Sequence, residues 1–262
     1  MTYIKYLENK NLSVNTIAIY SFYLTKWEAF LKQSNPSKSK IITFLKTMEH
    51  KSANTVKLIF AVIMSHLKYL KLTKLYYECL DIKLPSIAPK FTQIISINAF
   101  NSQKMKMKIH NWYEMRNWLI FSICFTTGIR ISEIYQINKA AICKNKILIK
   151  GKGRKSRMIF IPKYTLDLIN KWTHDFIAIK QNGNLLSYKQ LNKIIKKVST
   201  TWFGMTLQPH DLRRSYATNL LRKGVDLKTV AELLGHSNIN TTSKYIHLSE
   251  NELVQKIKKI FN

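Results

Sequence analysis

Acidic residues are scarce in this 262-residue chain: 14 Asp and Glu stand against 43 Lys and Arg, for a formal charge of +29 and a pI near 10.0. A field of that sign and size repels cations and collects polyanions, so DNA or RNA is the expected partner. An anionic membrane surface is the blander competitor. Cysteine is almost missing. Cys79, Cys124 and Cys143 are odd in number and lack CxxC spacing, which argues against a disulfide framework or a zinc site and for a reducing cytosol. Long apolar runs are missing too. The longest, near Trp118–Phe125, falls short of the length needed to cross about 30 Å of hydrocarbon. Met1 to Leu12 carries charges and no apolar core of a signal peptide. The expectation is a soluble cytoplasmic, nucleoid-associated protein. No internal repeat is visible.

Hydrophobic residues make up 46% and aromatics 11%, enough to build a core and to argue against disorder. The positive charge covers both halves. The first hundred residues hold 14 Lys against 5 acids, and the remainder 22 Lys and 7 Arg against 9. Lys, Ile and Asn are abundant, as an AT-rich coding sequence would produce. Against that background each Arg stands out as chosen for its planar fork.

Residues 1–82 read as a small four-helix domain. Ser13 is an N-cap candidate ahead of Ile17, Tyr20, Leu24, Trp27 and Leu31, which recur at helical spacing. Asn35 and Pro36 end that helix. Ile41, Ile42, Phe44 and Leu45 mark a second, and Ser52 opens a third carrying Val56, Ile59, Phe60, Ile63, Leu67 and Leu70. Periodicity fails over 83–100, where Pro85 and Pro89 sit, and this stretch reads as a linker. Helices resume over 101–262. There Lys146–Lys150 and Arg157–Ile161 flank a turn with Gly151, Lys152 and Gly153, which predicts a hairpin.

Four segments carry candidate chemistry. In Thr127-Gly128-Ile129-Arg130-Ile131-Ser132-Glu133, Gly128 ends an apolar helix, and Glu133 sits one turn after Arg130 to hold it. Taken alone, a surface ion pair explains this as well. Lys152 at the hairpin tip lies between glycines that allow close backbone approach. In His210-Asp211-Leu212-Arg213-Arg214, His210 and Arg213 share a helix side and suit a phosphate oxygen; a plain basic face suits them too. Finally, Leu234-Gly235-His236 puts a helix-ending glycine before His236, and Tyr245 follows on the next expected helix. That last stretch, 227–246, also fits a helix–turn–helix that reads DNA without catalysis.

In this order, the four segments resemble the tyrosine recombinase, or phage integrase, family, and most closely its short Xer-type members. The match runs through Arg130, Lys152, His210, Arg213, His236 and Tyr245. Flanking agreement comes at Ser132, Glu133, Arg157, Pro162, Ala217, Thr218 and Gly235. Leu12, Ser13, Asn15, Thr16 and Tyr20 resemble the family's N-terminal DNA-clamping domain. Departures include Ile129 in place of a usual Leu, Arg214 where His is common, and a stretch 139–145 without acids.

The resemblance implies a mainly α fold with a small β-sheet. A helical N-terminal core-binding domain and a catalytic domain would form a C-shaped clamp. It implies a nucleophilic Tyr245 that forms a 3′-phosphotyrosine, Arg130, Arg213 and His236 on the phosphate oxygens, His210 as base or as a further bond to the phosphate, Lys152 as acid, and Glu133 behind Arg130. Neither cofactor nor metal is implied. The partners would be double-stranded DNA with specific sites and a homotetramer, or a heterotetramer with a related recombinase, on two duplexes and through a Holliday junction. The tail helix expected at 251–262 would pack either in trans or on its own core. The rivals are a non-catalytic helix-turn-helix-like DNA-binding regulator, to which the arginine set is superfluous, and a type IB topoisomerase-like nicking enzyme. Which biological task is served, whether dimer resolution, integration, plasmid resolution or inversion, is not written in the chain.

Overall fold

The structure is a computed structural model, and it describes residues 2–86, 93–151 and 156–235. The chain divides into two compact units, Met1–Lys90 and Phe91–Asn262.

The first unit holds five helices among its described residues: α1 (Tyr3–Asn9), α2 (Val14–Leu31), α3 (Lys38–Thr47), α4 (Ala53–Tyr69) and α5 (Thr73–Glu78). Thr2, Ser13, Ser37 and Ser52 cap the first four, each accepting a bond from the backbone N–H three residues on. These side chains satisfy donors that the helix itself leaves without partners. The caps at Ser13 and Ser52 agree with the sequence reading. Five helices stand in place of the expected four: the apolar spacing locates α2, α3 and α4, and neither α1 nor α5 shows in it. Each is too short to show a repeating apolar stripe. The core gathers Leu7, Trp27, Ile41, Phe44, Ile59, Ile63 and Leu67, all essentially inaccessible, with the Trp27 and Phe44 rings 5.2 Å apart.

The second unit begins earlier than the sequence suggests. The expected linker 83–100 ends too late: Ile95 is fully buried and α6 spans Ile97–Lys106. Three hydrogen bonds anchor this stretch to a distant helix, α10 (Pro209–Arg222). The Ile95 N–H donates to Ser215 Oγ at 3.1 Å, the Ile97 N–H to Asn219 Oδ1 at 3.3 Å, and Asn219 Nδ2 to the Ile95 carbonyl at 2.8 Å.

Helix α7 (Trp112–Thr127) forms the axis of this unit. Trp118 through Phe125 is buried on all sides, so the longest apolar run is a core helix. No described helix is long and apolar enough to cross a membrane. An antiparallel hairpin follows, β1 (Lys146–Lys150) with β2 (Ser156–Phe160), in register Ile147 to Ile159 and Lys150 to Ser156. Ile147, Ile149 and Ile159 face the core, as the alternation requires. Then come α8 (Lys163–Lys171), α9 (Tyr188–Phe203), α10 (Pro209–Arg222) and α11 (Leu227–Leu234). Both α9 and α10 pack on α7. Pro209 opens α10 at a position where its missing N–H costs nothing.

Gly128 ends α7 in the left-handed region at φ +63°, and a Cβ there would lie 2.3 Å from the Tyr216 ring of α10. No side chain fits. Gly128→Ala should lower unfolding stability by about 2–4 kcal/mol, combining left-handed strain with overpacking. Urea denaturation measures it, and a loss near zero would show that Tyr216 moves aside freely.

Candidate active site

Three residues beyond Gly128, the chain enters a 3-10 turn at Ile131–Gln136. Its Glu133 is the only negative charge at this place among the described ion pairs, and it is 4% exposed. Its carboxylate accepts from the Arg130 backbone N–H at 2.8 Å and from Arg130 Nη1 at 2.9 Å. The i,i+3 pair read from the sequence therefore exists, with its carboxylate buried. Arg157 of β2 supplies the second fork, Nη1 to Oε1 at 2.9 Å and Nη2 to Oε2 at 2.7 Å. Burial alone would push the Glu133 carboxyl up. The bonds from Arg157, from the Arg130 N–H and from the Arg130 guanidinium outweigh burial and hold the carboxyl below the usual glutamate range.

Arg213, on the second turn of α10, is 2% exposed. Its Nη1 donates to the Gly128 carbonyl at 2.8 Å and its Nη2 to the Leu234 carbonyl at 2.6 Å. These carbonyls sit at the C-terminal ends of α7 and α11, where backbone acceptors lack helical partners and the helix dipole favours a cation. The other two arginines reach the same end of α11. Arg157 Nε donates to the Leu233 carbonyl at 3.0 Å, and Arg130 Nη2 to the Gly235 carbonyl at 3.3 Å. Three guanidinium groups thus engage three consecutive carbonyls, 233 to 235. Gly235 caps α11 at φ +66°, and a Cβ on it would stand 2.9 Å from Arg157 Cδ.

His210 lies on the first turn of α10 and is exposed. Burial on its protein side lowers its pKa, as do the charges of Arg214, Arg213 and Arg130, while Asp211 opposes them. With one side open to solvent, the three cations are the sounder cause. These influences favour the neutral ring.

The structure brings Arg130, Arg213 and Glu133 together and leaves His210 within reach of their charge. It buries Arg213 against backbone carbonyls, while the Arg130 side chain keeps 36% of its surface open. Lys152, His236 and Tyr245 lie outside the described residues, as do the hairpin tip and the stretch 251–262 read as a tail helix. Arg157 was read from the sequence as a flanking match only. One signal was present: in the strand Arg157–Ile161 it takes the inward side with Ile159 and Ile161, both buried, where an unpaired cation would be costly. No group of three or more His, Cys, Asp or Glu gathers among the described residues.

Glu133→Gln should destabilise the protein by about 3–5 kcal/mol, because it leaves buried guanidinium charge uncompensated. Denaturant unfolding checks this, and a change under about 1 kcal/mol would mean the carboxylate is not the partner that matters.

Comparison with known proteins gives the family and the fold. Residues 93–252, which contain all six expected catalytic positions, match the phage integrase family. Over 266 residues the chain is 29% identical to the tyrosine recombinase XerA of Pyrococcus horikoshii, covering 97% of this chain and 90% of that one. It is 27% identical over 284 residues to XerC of Staphylococcus aureus, covering 96% and 91%. Its fold is like that of the XerH site-specific recombinase bound to difH substrate, with a TM-score of 0.71 at 22% identity, over 95% of this chain and 80% of that one. It is also like that of the Tn1549 transposon integrase in complex with circular intermediate DNA, at 0.72 and 17%, over 98% and 97%. With a family match over more than half its length, the chain belongs to the phage integrase family and is a tyrosine site-specific recombinase.

Proposed function

We propose that this protein cleaves and rejoins DNA at specific sites through a covalent bond between Tyr245 and a backbone phosphate. The observation that carries the reading is the meeting of Arg130, Arg213 and Arg157 on the carbonyls of 233 to 235. This is the backbone immediately before His236 and ten residues before Tyr245. Relatives crystallised on DNA, XerH on difH and a lambda integrase dimer on a core site among them, support a double-stranded partner and a multimeric assembly. A tetramer on two duplexes is the form in which strands can be exchanged.

In this reading the Tyr245 oxygen attacks the scissile phosphorus, a 3′-phosphotyrosine forms, and the bond to the 5′ oxygen breaks. A free phenol has a pKa of about 10, so its proton must leave during attack. Neutral His210 is the group to accept it. Lys152 gives a proton to the departing 5′ oxygen. A 5′-hydroxyl of the partner duplex then attacks the phosphotyrosine, Tyr245 is released, and a Holliday junction results after the first pair of exchanges. One phosphodiester replaces another, so the balance needs neither ATP nor a redox cofactor. Arg130, the more open guanidinium, meets a non-bridging oxygen. Arg213 adds charge from the buried side and His236 a further hydrogen bond. Positive groups fixed before the reaction stabilise the charge that develops on those oxygens, which makes a metal ion unnecessary.

The direct test uses nicked suicide duplexes, chosen from a random pool by binding. Wild type should leave a protein–DNA adduct that survives a denaturing gel, and Tyr245→Phe should not. Binding without an adduct in the wild type would favour the DNA-binding regulator instead. Adduct formation also reports on His210. Burial and the neighbouring arginines lower its pKa from the ordinary histidine value, so the neutral ring persists to lower pH than in a free histidine. The rate should hold through neutrality and fall only as pH drops below it. His210→Gln should be slower and lose this acid limb. A limb that survives the substitution belongs to another group.

A further inference from the structure

At the other end of α7 lies a groove outside the arginine cluster described above. Arg116 is about 17 Å along the helix axis from the Gly128 end, at 1.5 Å per residue. The groove has a volume of about 650 Å3 and lies between the first turns of α7, the loop around Lys180 and the near edge of α9. Four cationic side chains line it, Arg116, Lys180, Lys193 and Lys197, and no acidic residue does so among the described residues. Asn117 and Tyr113 add amide and hydroxyl groups.

Arg116 separates this groove from an ordinary lysine-rich surface. It is 8% exposed, yet none of the ion pairs among the described residues includes it. Its guanidinium bonds only neutral oxygens in the contacts described. Nε and Nη2 both donate to Asn117 Oδ1, at 3.1 and 2.8 Å, and Nη1 donates to the Ile179 carbonyl at 3.4 Å. The Trp112 and Tyr113 rings lie 5.0 and 5.4 Å from its central carbon. Burial pushes its pKa down. A buried guanidinium without a carboxylate retains a desolvation cost that an anion in the groove would offset. Three lysines beside it set the charge of that anion above one.

The geometry points to a phosphate-binding groove formed by Arg116, Lys180, Lys193 and Lys197, whose ligand is a phosphate-bearing polyanion. Phosphate matches the planar fork of Arg116 and the point charges of the lysines together. It has two possible sources, the backbone of DNA and a free phosphorylated molecule. The inference rests on the groove alone and does not require Tyr245 chemistry.

Lys193 and Lys197 are exposed, so Lys193→Gln/Lys197→Gln spares the fold where an Arg116 variant could unfold it. Lys163→Gln/Lys171→Gln, on exposed positions of α8, serves as a control of equal charge. Inorganic pyrophosphate binding to the full chain is measured by calorimetry, and duplex binding as a function of salt. The groove variant should bind pyrophosphate about tenfold more weakly than wild type or control, or its log–log salt slope on DNA should fall by about 1–2. A change in slope assigns the ligand to DNA. A change in pyrophosphate binding alone assigns it to a free anion. The inference is overturned if neither quantity moves, or if the control loses as much as the groove variant, since the effect would then be the diffuse field. Retained adduct formation by the groove variant keeps this outcome separate from the strand-exchange reading.

Discussion

One buried carboxylate holds two arginines, and a third arginine joins them on the same helix end. Glu133 takes both forks at 2.7 to 2.9 Å, while Arg213 is held by carbonyl oxygens alone in the bonds described. Among the described residues, three guanidinium groups meet at this helix end, and Glu133 is the carboxylate of the described ion pairs there. Helix-end carbonyls add a favourable field for the cations. Under the proposed function, a site arranged this way receives the phosphate. The same arrangement explains why Glu133 must be buried. In water its attraction for the two arginines would be weak and screened, and their forks would not be fixed.

The surrounding fold is what holds that cluster in place. Gly128 lets α7 stop against Tyr216 with no side chain between them, which exposes the Gly128 carbonyl to Arg213. Gly235 does the equivalent for α11, with the Arg157 stem lying where a Cβ would be. The hairpin contributes Arg157 from its inner face. Ser215 and Asn219 hold the first residues of the second unit on α10, the helix that also carries His210 and Arg213. A small shift in any of these elements would change how the guanidinium groups meet the backbone before His236.

Much of this was visible in the sequence, wherever the cause is local. Ser13 and Ser52 announce helix starts by side-chain capping, Gly128 and Gly235 announce helix ends, and Arg130 with Glu133 is a neighbouring pair on one turn. What was hidden depends on contacts between distant residues. Arg157 reaches Glu133 across 24 positions, and no local pattern links them. The burial of Arg213 follows from carbonyls 85 and 21 residues away, and a carbonyl leaves no mark in a sequence. The early start of the second unit follows from Ser215 and Asn219 for the same reason. Helices α1 and α5, at 7 and 6 residues, are too short for periodicity. Lys152, His236 and Tyr245 stand out locally by a glycine-flanked turn, a helix-ending glycine and the helix expected next, and the roles proposed for them come from the family resemblance.

The central claim is that a DNA phosphate completes the charge of this cluster beside residues 233 to 235. A crystal structure of the protein on DNA, with vanadate at the cleavage position, tests it most directly. The account requires vanadate oxygens about 3 Å from the guanidinium nitrogens of Arg130, Arg213 on the same anion or directly behind it, and the Tyr245 oxygen on the vanadium. Vanadate bound far from Arg130, or a DNA complex in which the three arginines no longer meet the end of α11, would contradict it.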